Sequence, residues 1–219
     1  MWLRWRRYRY RRKTDAAIMQ SFLEAELPLP DAPPDKVAFL TVDLETTSLD
    51  PKHGEIVSIG WVPIDNGRVM LCAAEHHAIA VKRGVGQSAV FHHIRDSALN
   101  RAPALGVAME AFLAAARGRV LVFHNAALDM GFLDAASRKL YGVPIAAPVV
   151  DTLALEKNKW LRLREGLASG ELRLFACRER YGLPDYPAHN ALTDAVATAE
   201  LLLAHLAHRG RDSRLEDLL

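Results

Sequence analysis

Apolar and polar residues change their spacing several times along this chain, and each change marks an element. Residues 37–45 (VAFLTVDLE) form a nearly continuous β-prone run, the pattern of a strand covered on both faces near the middle of a sheet. Only acids interrupt it. Residues 55–64 (EIVSIGWVPI) and 69–81 (VMLCAAEHHAIAV) read as two further strands, and Asn66-Gly67 between them is a strong hairpin signal. The first part of the sheet is therefore expected to be antiparallel. Residues 107–116 read as a helix and 119–123 as a short apolar strand. A helix over about 128–140 follows, ended by Gly142 and Pro144. A strand at 148–150 leads into Asp151, a good cap for a helix starting near Thr152. A helix over about 171–181 stops at Gly182 and Pro184, and a long one over about 192–208 closes the pattern. Hairpin strands followed by alternating helices and strands predict an α/β fold with a mixed five-stranded sheet flanked by helices.

The N-terminal end reads differently. Thr14 can cap a short helix to about Glu26, with Ile18, Phe22 and Leu23 on one face. Residues 28–35 (PLPDAPPD) hold four prolines and read as an extended linker. The expected organisation is a basic aromatic arm at 1–13, a helix and linker at 14–36, the main domain at 37–209 and a tail at 210–219. About ten residues follow the last helix, so only a short tail is expected there.

Composition narrows the class. The chain has 219 residues, half apolar and a quarter charged, which fits a soluble globular domain with a core of its own. Two cysteines, Cys72 and Cys177, exclude a disulfide scaffold and a Cys-built zinc site. They read as small core residues in a reducing compartment. No apolar run reaches the roughly 18 residues of a membrane span, and the N-terminus lacks the apolar core of a secretory signal, so a cytoplasmic location is expected. Charge is unevenly spread: residues 1–13 (MWLRWRRYRYRRK) carry seven basic side chains and no acid. Removing those seven from 28 Lys and Arg leaves 21 against 26 Asp and Glu, a formal charge of −5 on the remainder. A basic arm on an acidic body fits a polyanionic partner, nucleic acid or an anionic lipid surface, and its Trp and Tyr rings suit either. A solvated tail is the plainer reading.

Three clusters carry candidate chemistry. Asp43 and Glu45 lie two apart on the first strand, so both project from one face. Two carboxylates on a buried face repel, and the pair needs a cation or holds a proton. An Asp-x-Glu triplet arises by chance roughly once in a chain of this length, but here it runs into Thr46, Thr47 and Ser48, small hydroxyl residues suited to a substrate-facing loop. The second cluster, VLVFHNAALDMGF at 120–132, takes an apolar strand into His124, Asn125 and then Asp129 at a helix start. Capping alone explains an acid there, yet in open sheets ligands gather at the carboxyl ends of strands. The third is His189 and Asp194, in a polar turn before an apolar helix.

Taken together and in this order, the clusters resemble the DEDDh branch of the DnaQ-like 3′-to-5′ exonucleases, over about residues 37–208. The family's D-x-E-T-T motif is matched by Asp43, Glu45, Thr46 and Thr47. Its second motif is matched by His124, Asn125 and Asp129, and its H-x-x-x-x-D motif by His189 and Asp194. A sister branch has tyrosine four residues before the last Asp, where this chain has Asn190. FHHIRDSAL at 91–99 resembles the family's H-G-I segment, with His93 where glycine is commoner. The resemblance implies a ribonuclease-H-like sheet, antiparallel hairpin strands first and parallel strands after. It also implies release of nucleoside monophosphates from DNA 3′ ends, single-stranded or frayed, in proofreading or repair beside a polymerase or repair partner.

The chemistry agrees with that expectation. Four converging carboxylates are strongly unfavourable without cations, and two Mg²⁺ or Mn²⁺ ions suit hard oxygen ligands. Ions about 4 Å apart stabilise the attacking and leaving oxygens of a phosphodiester displacement. On the expected roles, Asp43 bridges both ions, Glu45 and Asp194 complete the site of the nucleophilic water, and Asp129 holds the second ion through water. His189 is the expected general base, since a histidine's ordinary pKa near 6.5 suits proton uptake at neutral pH. By resemblance, Thr46 and Thr47 meet the terminal nucleotide, Leu49 packs on its base, or else closes over the core, and Asn125 contacts the strand or supports the acid. Asp151 reads as a helix cap rather than a catalytic group. The rival readings are an exoribonuclease, since the same carboxylates serve either sugar, and a catalytically silent binding or scaffold module, against which the intact acids argue.

Overall fold

The computed structural model describes residues 2–81, 102–163, 166, 168–187, 189–210 and 212–219. The segment FHHIRDSAL, with His92 and His93, lies outside the described residues. Helices α1 (Trp2–Arg11) and α2 (Ala17–Glu24) come first. They precede β1 (Phe39–Thr46), β2 (Ile56–Asp65), β3 (Arg68–Val69) and β4 (Glu75–Ala78). Then follow α3 (Leu105–Ala116), β5 (Val120–Phe123), α4 (Ala126–Tyr141), β6 (Val149–Asp151), α5 (Thr152–Leu163), α6 (Leu174–Arg180) and α7 (Ala191–Arg209).

Among the described residues the sheet is mixed and has six strands, in the order β3-β2-β1-β5-β6 with β4 also paired to β2. β1 runs antiparallel to β2 and parallel to β5, which runs parallel to β6. The α/β class, the hairpin beginning and the parallel continuation match the expectation, but the strand count does not. The run 69–81 is not one strand: it breaks after Val69 into a 3₁₀ turn at Leu71–Ala73 and resumes as β4 on the same outer edge of β2. Its Cys72 is exposed, contrary to a core role, whereas Cys177 is buried.

Alternation along β1 divides the molecule. Leu40 and Val42 join Ile59, Trp61, Leu121 and Phe123 on one face, packed with α2, α3 and α4. Phe39 belongs to the other, with Val62, Ile64, Val120 and Val150 under Ala199 and Leu202 of α7. Each fully buried large side chain of this kind contributes about 1.5–3 kcal/mol relative to exposure. On the α7 face β1 begins with Phe39 and buried Thr41 and ends with Asp43 and Glu45, so the apolar support gives way to carboxylates along one strand.

The N-terminal arm is helical and docked. Arg7 is buried, and its guanidinium donates to the carbonyls of Ala146 (2.6 Å), Phe22 (2.6 Å) and Ala25 (2.9 Å). Burial lowers its pKa to about 10, which leaves it charged at neutral pH. The C-terminal segment folds back as well. Leu215 and Leu218 are buried, and the amides of Leu215 and Glu216 bond to the carbonyls of Ala32 and Pro30, so the proline-rich segment is held rather than a free spacer.

Candidate active site

β1, α4 and α7 bring the acids together. Asp43 and Glu45 face α7 with one residue between them. One carboxylate oxygen each from Asp43, Glu45 and Asp194 lie within 4.8 Å of one another. Asp129 stands outside that trio but is close enough for its charge to act on Asp43. Its position follows from unequal strand lengths: β5 pairs with β1 only over Phe39–Thr41, so the end of β1 projects past it and the first turn of α4 fills the space. There the Leu44 amide donates to the Asp129 carboxylate.

Electrostatics express the crowding. Burial, then the charges of Asp129, Asp194 and Glu45, hold the Asp43 carboxyl well above the ordinary range. Burial and Asp194 push Glu45 up to about 7. Burial takes Asp129 to about 8 against the pull of the amides of Asp129 and Leu44. Asp194 is also raised by burial, though amides of His189 and Asn190 and the nearby His189 charge oppose it. Such a cluster of hard oxygen donors, held against its own repulsion, fits divalent cations.

A stability profile follows in chelator. An unfolded carboxyl titrates near 4, so between about pH 4 and 8 the folded state holds protons that the unfolded chain has released. The stabilisation from these raised groups is complete below that window and is lost as pH rises through the folded values near 7 and 8. Thermal melts in EDTA are expected to show a Tm that falls from pH 6 to 9, and a divalent ion is expected to restore it. A Tm that rises across that interval in EDTA contradicts the clustering.

The third motif is built around a helix start. Asn190 caps α7, its side-chain oxygen accepting from the amides of Leu192 and Thr193 at 3.1 Å. His189 sits just before it with φ +70°, a backbone state uncommon outside glycine. Its amide donates to Asp194 Oδ2 at 2.9 Å, tying the histidine loop to the acid.

Thr46, Thr47 and Leu49 extend from the end of β1 around a register shift between Glu45 and Thr46. Bulges commonly sit beside active sites, where they re-aim side chains. The Thr46 hydroxyl donates to the Ser48 carbonyl at 2.8 Å, and Thr47 Oγ1 accepts from the Glu55 amide at 2.9 Å. Leu49 is 80 % exposed, so it does not close over the core. Asn125 is exposed, in the left-handed region, and makes no side-chain cap bond to α4. Its backbone amide is held by Asp151, which also accepts from the amides of Ala126, Leu153 and Ala154. Asp151 therefore caps α5, as expected, and in addition clamps the start of α4. His124 bridges Thr152 Oγ1 and the Leu172 carbonyl, each at 2.8 Å. The Leu172 carbonyl accepts from Nε2–H, and burial lowers the imidazole pKa, so His124 ties the end of β5 to the start of α5 and to Leu172.

One positioning residue escaped the sequence reading. Gly60 pairs with Asp43 across the β1–β2 ladder, and α7 comes so close that a Cβ on Gly60 would lie 2.3 Å from Ala191 C and Leu192 N. The absent side chain lets the start of α7 deliver Asp194 to Asp43. A glycine inside an apolar strand is the signal that could have found it. Gly60→Ala is expected to cost about 1–3 kcal/mol of stability through overpacking and about 10² in turnover by displacing Asp194. Parental turnover in this variant contradicts the positioning role.

The exonuclease family model matches residues 40–202, a stretch that contains all four acids and His189. The chain belongs to this exonuclease family. It is 38 % identical over 184 residues to a DNA polymerase III subunit epsilon-like protein of Rhodobacter capsulatus, covering 81 % of this chain but 25 % of that protein's length. It is 31 % identical over 180 residues to DNA polymerase III subunit epsilon of Treponema pallidum, covering 82 % of this chain and 81 % of that one. The nuclease domain of 3′hExo, a DEDDh family member solved bound to rAMP, superposes with a TM-score of 0.67 at 14 % identity over 84 % of this chain and 98 % of that one, a likeness of fold. The exonuclease domain thus has a ribonuclease-H-like architecture with an acidic cluster suited to metal.

Proposed function

We propose that this exonuclease domain hydrolyses DNA from the 3′ end, releasing nucleoside monophosphates, with His189 as general base. The observation that carries the reading is the convergence of Asp43, Glu45 and Asp194 within 4.8 Å, with Asp129 beside them. Asp43, Glu45 and Asp194 would hold one divalent ion and Asp43 with Asp129 a second. When bound, Mg²⁺ or Mn²⁺ supplies Lewis-acid stabilisation of the charge that develops on the phosphoryl and leaving oxygens.

The chain's own groups do the rest. His189 accepts the proton of the attacking water as its oxygen bonds to phosphorus. The bond from phosphorus to the 3′ oxygen breaks, and that oxygen keeps the electron pair and takes a proton from solvent. The hydrogen bond that the His189 amide donates to the Asp194 carboxylate keeps the base beside the acids, and its place in a loop ahead of α7 gives the imidazole room to swing in. Thr46 and Thr47 meet the terminal nucleotide through backbone and hydroxyl groups. Exposed Leu49 packs on its base, and Asn125 contacts the strand. The epsilon-subunit relatives support a role in proofreading or repair beside a DNA polymerase.

End-labelled single-stranded DNA, duplex DNA and RNA digested side by side with Mn²⁺ and with EDTA test this reading. Loss of 3′-terminal nucleotides from DNA, with the 5′ label retained on a shortening ladder and silence in EDTA, is the expected result. Digestion of RNA with DNA left intact overturns the substrate assignment. Inertness on all three with metal present makes the domain a binding module.

A further inference from the structure

We propose that the outward face of α1 is a second contact for single-stranded nucleic acid, a stacking platform for strand leading away from the acid cleft. This rests on the reading that the domain acts on a nucleic acid. Arg7 anchors the helix from beneath, so the opposite face is presented in a fixed orientation. That face carries Trp2, Trp5 and Tyr8, which are 67 %, 52 % and 56 % exposed. Arginines lie over the rings: Arg6 is 4.5 Å from the Trp2 centroid, Arg9 4.5 Å from Trp5 and Arg12 5.8 Å from Tyr8. Between the rings lies a hollow of about 510 Å³ lined by Trp2, Trp5, Arg6, Arg9, Tyr10 and Lys13.

Flat rings alternating with guanidinium groups match what a single strand offers, bases to stack and phosphates to neutralise. A helix lying in a bilayer interface buries a continuous apolar face instead. Here Leu3, the one aliphatic residue of α1, packs inward against the core, and the exposed face mixes every ring with charge. The location suits a strand rather than its reacting end. Arg7 binds Ala146, ahead of β6, whereas Asp129 sits at the other end of α4; the 12 steps along the helix from Asp129 to Tyr141 rise on the order of 18 Å. Short substrates would not reach α1.

Two variants test the platform in the full chain: Trp2→Ala/Trp5→Ala/Tyr8→Ala, and Arg6→Gln/Arg9→Gln/Arg12→Gln, both keeping Arg7. Fluorescence anisotropy of a labelled oligonucleotide of about 30 nucleotides measures binding without turnover. KM is measured on that strand and on one of about 3 nucleotides, shorter than the 4–16 that a single-strand groove typically occupies. The aromatic variant is expected to weaken long-strand binding about fivefold or more per ring engaged and to leave the trinucleotide KM unchanged. The arginine variant is expected to flatten the salt dependence by about 0.7 in log–log slope for each phosphate it no longer neutralises. Parental affinity and parental slope in both variants overturn the proposal. Loss of binding to phosphatidylserine vesicles with oligonucleotide binding intact also overturns it and assigns the face to lipid. A parent that binds the long strand through α1 but degrades nothing would sink the catalytic reading and leave this one standing.

Discussion

Asp43→Asn should abolish metal-dependent hydrolysis while leaving the metal-free protein as stable as the parent or more so. Asp43 lies at the centre of the cluster, and its carboxyl is raised by burial and by Asp129, Asp194 and Glu45 together. Burial and three neighbouring acids make an ionised carboxylate costly at this position, and Asn replaces it with a neutral group of the same shape. The same change takes a ligand from both proposed ion positions. Metal stabilisation of developing charge is worth several kcal/mol, and at 1.36 kcal/mol per factor of ten the expected fall in turnover is about 10³-fold or more. Melting with and without Mn²⁺ separates the two effects. The parent should gain Tm on adding the ion, by linkage, and the variant should start at or above the parent's EDTA value and gain little. Retained turnover, or a large loss of metal-free stability, contradicts the role given to Asp43.

His189→Ala should lower turnover by about 10²- to 10⁴-fold, the usual contribution of a general base, with metal affinity nearly unchanged. The imidazole belongs to the loop before α7, and the bond that ties this loop to Asp194 uses the backbone amide, which alanine retains. Isothermal titration with Mn²⁺ beside single-turnover kinetics reads both quantities. A changed metal affinity with turnover preserved makes His189 a ligand or a support rather than the base.

Much of this site was legible because its signals are local. Asp43 and Glu45 project from one face of a strand whose apolar run marks it as central, and Asp129 and Asp194 fall in the first turns of helices whose starts the pattern predicts. What was missed depends on contacts between distant segments. The arm over residues 1–13 becomes a docked helix because Arg7 finds three carbonyls, one of them 139 residues away. The run over 69–81 breaks at a 3₁₀ turn and pairs twice with the same edge of β2, so among the described residues the sheet has six strands rather than five. Gly60 stands out in its strand only as a missing side chain, and what that makes room for shows only where α7 lands on it. Asp151 is readable as a cap of α5, but its hold on the Asn125 and Ala126 amides needs β5 and β6 side by side.

The central claim is that acids separated by as much as 151 residues of chain, from Asp43 to Asp194, form one seat for divalent cations. Anomalous diffraction from crystals soaked in manganese tests it most directly. A strong peak ringed by oxygens of Asp43, Glu45 and Asp194, with Asp129 beside it, is the predicted result. Well-ordered carboxylates with no peak among them, in crystals that bind manganese elsewhere, would contradict it.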